Sequence, residues 1–78
     1  MTRYYFDIRD NEGLNADEEG IEFVTQREAE LEAAKSLADL AKEMAPIDER
    51  RDVSIEVRIG NRRVFQAALI FDRSATRQ

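Results

Sequence analysis

Near the start of the chain Tyr4, Phe6 and Ile8 fall on one side of an extended backbone and Tyr5, Asp7 and Arg9 on the other. A period of two marks a strand with one buried face, so residues 3 to 9 are read as the first strand. The stretch from Asp10 to Gly20 is polar and broken by glycines, and it is expected to be a loop that stays out of the core. Ile21 to Val24 follow as a short second strand, after a connection long enough for an antiparallel return.

Thr25 with Glu28 three places later is a capping box, in which each side chain satisfies a backbone donor of the other. A helix is predicted from Gln26 to about Ala45, rich in Ala, Leu, Glu and Lys and stopped by Pro46. At 100° per residue Ala33, Ala34, Leu37, Leu40, Ala41 and Met44 share one face. Glu28, Glu32, Lys35, Asp39 and Lys42 share the other, so one side is built to lie on a core. Glu30 at the edge of the apolar stripe and Leu31 outside it interrupt the pattern, and neither demands a function.

After a charged connection over 47–52, Val53, Ile55, Val57 and Ile59 alternate with Ser54, Glu56 and Arg58 in a third strand. Gly60-Asn61 marks a turn, and residues 64 to 71 read as a last strand that is apolar on both sides. Phe65, Ala67, Leu69 and Phe71 lie on one side, Val64, Ala68 and Ile70 on the other. Such a strand is expected to be central in its sheet, or covered on its outer face. A plain two-residue turn at Gly60-Asn61 pairs Val57 with Val64 and sends Phe65, Leu69 and Phe71 to the wrong face. One extra residue, in the loop or as a bulge, pairs Val57 with Phe65 and Val53 with Leu69 instead. Misplacing three large apolar groups costs several times ~2 kcal/mol, so the shifted register is predicted.

The order is strand, strand, helix, strand, strand. It predicts an α+β domain: a four-stranded, mainly antiparallel sheet with one helix packed across one face. A β-grasp variant, with the first and last strands parallel at the centre, stays open. Residues 1 to 73 are read as one domain and 74 to 78 as a C-terminal tail.

Tyr4-Tyr5-Phe6-Asp7-Ile8-Arg9-Asp10, Gly13, Asp17-Glu18-Glu19-Gly20-Ile21-Glu22, the alanine-rich helix and Ile55-Glu56-Val57-Arg58 also form a pattern. It resembles a family of short alphaproteobacterial proteins known as a domain of unknown function. The resemblance spans nearly the whole chain and brings no activity and no site residue with it.

Composition narrows the chemistry. With 78 residues and no Cys or His, the chain holds one small core without a disulfide or a conventional zinc site to support it, which raises the expectation of self-association. The lack of His and Cys also removes Ser-His-Asp and Cys-His systems, and no catalytic residue, cofactor or metal site is predicted. The dense carboxylates are Asp10, Glu12, Asp17, Glu18 and Glu19. Their spacing matches no EF-hand, and they are expected to be solvated and dispensable for folding. The net charge is −5, with four basic and eleven acidic side chains in residues 1 to 39 and eight basic and six acidic in the remainder. Arg50, Arg51, Arg58, Arg62 and Arg63 gather in the basic half, but an acidic chain repels polyanions and nucleic acid is not an expected partner. No apolar run resembles a secretory signal or a membrane span, so a cytoplasmic location without membrane contact is expected.

Two functions fit these constraints. The first is a non-enzymatic interaction module, a homodimer or partner-binding protein, that uses the sheet face away from the helix, where Tyr5, Val24, Val64, Ala68 and Ile70 are expected to form one apolar patch. The second is a small regulator or antitoxin-like protein that binds a protein or nucleic acid through Arg58, Arg62 and Arg63 at the hairpin.

Overall fold

The computed structural model describes residues 1–43 and 52–70. Along them run β1 (Thr2–Asp10), β2 (Gly13–Asn15), β3 (Ile21–Phe23), α1 (Gln26–Glu43), β4 (Val53–Ile59) and β5 (Arg62–Leu69). The α+β class and the order around the single helix are as the periodicities predict. The sheet has five strands because β2 forms inside the stretch read as loop. Asp10 Oδ1 accepts the Glu12 N–H at 2.8 Å, and this side-chain turn lets Gly13–Asn15 fold back on the end of β1. The predicted helix end at Met44 and Ala45, the connection with Arg50 and Arg51, Phe71 of the predicted last strand, and the tail at 74 to 78 lie outside the described residues.

The strand order is β2-β1-β4-β5, every pairing is antiparallel, and β3 also pairs with β1. The first strand therefore neighbours β4 and not the last strand, which removes the β-grasp variant. Among the described residues it also places β5 at an edge of the sheet, so of the two expectations for this strand, central or covered on its outer face, the central one does not hold.

The β4–β5 hairpin satisfies both demands that the sequence sets against each other. Ile59 pairs with Arg62 across a two-residue turn whose Gly60 has φ +58°, the sign a tight hairpin needs at that place. A bulge after Arg63 then absorbs Val64, so Val57 pairs with Phe65, Ile55 with Ala67 and Val53 with Leu69. The large side chains of both strands thus converge beneath the helix.

The helix starts with the predicted capping box. Thr25 Oγ1 accepts the Glu28 N–H at 3.2 Å, and Glu28 Oε1 accepts the N–H of Val24 at 3.0 Å and of Thr25 at 3.4 Å. Its buried row is Ala29, Ala33 and Leu37, with Leu40 packed alongside, while Ala34 and Leu31 are exposed. Among the described residues Tyr4, Val53, Ile55 and Val57 complete the buried apolar set, and of these Ile55 and Val57 are large and fully enclosed.

Candidate functional site

The face of the sheet away from the helix is polar along its middle. Asp7, one of two buried polar residues among those described, accepts a hydrogen bond from Arg58 Nε at 2.7 Å through Oδ2 and one from the Asp17 N–H at 2.9 Å through Oδ1. Arg58 spreads its other donors over the Asp17 carbonyl and the Gly60 carbonyl, each at 2.8 Å, and its guanidinium sits 4.6 Å from the centre of the Tyr5 ring. The hydrogen bond to Asp7, against some loss of hydration, holds the Arg58 pKa above its ordinary value, helped by the negative charges nearby.

Asp17 closes the edge of β1. β3 pairs with Thr2 to Tyr4 and β2 with Ile8 to Asp10, which leaves a gap in the ladder between them. Into that gap Asp17 Oδ2 accepts the Phe6 N–H at 3.1 Å, while Oδ1 accepts the N–H of Glu19 at 3.0 Å and of Gly20 at 3.3 Å. Partial burial alone would raise the Asp17 carboxyl. The three backbone N–H groups, with the charge of Arg58, outweigh it and set the pKa below the ordinary 3.8. The expectation that the acidic loop is solvated therefore fails at Asp17, whose carboxylate is tied to three backbone N–H groups, whereas Glu18 and Glu19 are exposed. Gly20 completes the clasp at φ +72°, where an added Cβ would stand 2.8 Å from Arg3 Cγ and 3.0 Å from the Tyr4 carbonyl oxygen.

A second charged row lies beside the first. Arg9 Nε pairs with Glu56 Oε2 at 2.7 Å, Arg63 Nη1 stands 3.8 Å from the same oxygen, and Arg63 also donates to Gln66 Oε1 at 3.3 Å. The residues expected to form one apolar patch are separated by these rows. Tyr5 lies under Arg58, Val24 is exposed beside the start of α1, and Val64 packs against the core cluster from the bulge. Ala68 and Ile70 alone come together, on an open groove of about 440 Å³ that Arg9, Ser54 and Gln66 also line. The apolar patch is thus reduced to this corner beside β5, because a bulged residue turns toward the core rather than continuing the alternation.

The arginine patch is divided in the same way. Arg58 is committed to Asp7 and Asp17, Arg63 shares Glu56, and Arg62 is exposed at the hairpin tip. No group of three potential metal-ligating side chains gathers among the described residues. The Asp7–Arg58–Asp17 cluster escapes a reading by periodicity, since alternation calls for solvated side chains at Asp7 and Arg58 and Asp17 lies in a stretch with no alternation. The signal for it was Asp17 standing three places before Gly20, a spacing suited to a side-chain turn.

With this geometry in place, the comparison with known protein families is decisive for kinship. The model of a domain of unknown function, DUF6894, matches residues 3–70. The chain belongs to the DUF6894 family. In this DUF6894 chain the match runs from Arg3 to Ile70 and so takes in all of the closing clasp as well as the helix and the hairpin. No curated protein and no solved structure matches it. Among the described residues no helix is long and apolar enough to cross a membrane.

Proposed function

We propose that this DUF6894 protein is a non-enzymatic interaction module that works as a homodimer through the β5 side of its sheet. The observation that carries the reading is the asymmetry of the two sheet edges. One edge is closed three times over, by β2, β3 and the Asp17 carboxylate. The other, β5, pairs only with β4 among the described residues. From Phe65 to Leu69 that edge carries no charge and no bulge, and an unpaired edge of this kind calls for a cover.

Two further features support it. Among the described residues the enclosed core is small for a chain that folds alone. Ile70, 67% exposed, and Ala68 continue the apolar surface from the β5 edge onto the groove. The charged groups with fixed geometry, Asp7, Asp17 and Arg58, satisfy one another, which suits a structural clasp better than acid-base chemistry.

Light scattering after gel filtration tests the reading. A mass of twice the 9.0 kDa chain is expected at high micromolar concentration. A monomer under those conditions would sink it.

A further inference from the structure

Resting on the homodimer reading, the geometry points to a specific arrangement: we propose that the second copy adds to the sheet antiparallel to β5, about a two-fold axis passing beside Ala67 and Ala34.

The backbone supplies the first argument. Phe6 directs its N–H away from β4, to Asp17, so Val57 opposite Phe6 directs its own groups toward β5. Phe65, Ala67 and Leu69 then bond back to β4, which leaves the N–H and C=O of Gln66 and Ala68 pointing outward. The bulge at Val64 ends the regular stretch on one side, so among the described residues Phe65 to Leu69 is the segment whose outer edge can accept a strand. Its midpoint is Ala67. An axis there pairs Gln66 with Ala68 of the second copy through their outward groups, and Phe65 with Leu69 on the helix side, an apolar cross-strand pair. Antiparallel addition also keeps Arg62 and Arg63 of the two copies at opposite ends, whereas parallel addition would stack them.

The helix supplies the second, independent argument. Gln26 Nε2 donates to the Val64 carbonyl at 3.4 Å and to Glu30 Oε2 at 3.0 Å, so the row descending from Gln26 through Glu30 to Ala34 runs along the β5 side of α1. Below Glu30 that flank is made of Ala34, Ala38 and Ala41, while the far flank carries Glu28, Glu32 and Asp39. Ala67 lies three strand residues beyond Val64, about 10 Å, and a helix descends that far in about seven residues, from Gln26 to Ala33 and Ala34. The exposed Ala34 is thus level with the proposed axis.

The spacing agrees as well. α1 packs equally over β4 and β5, so its axis lies about 5 Å from the two-fold and the two helices come about 10 Å apart. That is the usual separation of packed helices, and small side chains between them permit it.

The chain has no cysteine, so single substitutions give clean cross-links. Ala34→Cys should form a disulfide dimer under mild oxidation, and Asp39→Cys on the far flank should not. Ala34→Glu, at an exposed helical position that glutamate suits, should keep the circular dichroism of the parent and halve the mass in light scattering. Ala68→Pro should do the same by removing an outward N–H. If Ala34→Glu and Ala68→Pro remain dimers while Ile70→Lys becomes a folded monomer, the arrangement is overturned and the homodimer reading survives through the groove. If the parent chain is itself a monomer, both fail. Should Ala34→Glu unfold, the Ala34→Cys cross-link decides, and its absence overturns the arrangement.

Discussion

Asp17 shows how one side chain can stand in for a piece of β-strand. Its two oxygens take up backbone donors that a longer β2 or β3 would otherwise satisfy, and an ionised carboxylate does this better than a neutral group. Asp17→Ala is expected to lower Tm by more than the about 5 °C that one lost hydrogen bond costs a domain of this size. Because the folded pKa of Asp17 is depressed, its contribution is complete above the ordinary 3.8 and disappears as the pH falls through the lower folded value. Thermal melts across acid pH should therefore show a weaker loss of stability in Asp17→Ala than in the parent over that range. An identical acid profile would show that Asp17 is not the group responsible. Gly20→Ala should also destabilise, through both positive φ and the close approach of Arg3 and Tyr4, while Glu18→Gln and Glu19→Gln should leave Tm unchanged. None of this could be read from periodicity. Asp7, Asp17 and Arg58 are far apart in sequence, and alternation assigns a side chain to a face without saying whether a charge there is solvated or paired.

Among the elements, those whose boundaries rest on local chemistry were the most legible. The capping box placed the first turn of α1, and the alternation of Val53 to Ile59 placed β4. The β4–β5 register was legible for another reason: the large side chains on both strands leave one alignment that buries them together. Less legible were β2, whose three exposed residues carry no pattern, and Val64, which the bulge removes from the alternation. Deletion of Val64 tests the bulge. The two-residue turn and the Val57–Phe65 pairing should both survive without it, and stability should fall by only about 1–3 kcal/mol, the worth of one partly buried valine. Cross-strand contacts measured by NMR would report the register, and a variant in which Phe65 leaves Val57 would contradict this reading of the hairpin.

For the molecule as a whole, the two sheet edges differ in what the sequence has invested in them. One is covered by two strands, a carboxylate, a positive-φ glycine and an arginine clasp. The other is an eight-residue strand guarded by Arg62, Arg63 and a bulge at one end and, among the described residues, left open along the rest. The large side chains that it turns to the helix were visible in the sequence, but its place at the edge was not, since strand order is set by long-range pairing. Amide hydrogen exchange at low and high protein concentration tests the consequence most directly. The N–H of Phe6, bonded to Asp17 within the chain, should be protected equally at both concentrations. The N–H groups of Gln66 and Ala68 should exchange freely in dilute solution and become protected as the protein is concentrated. Free exchange at both positions at every concentration would contradict the account.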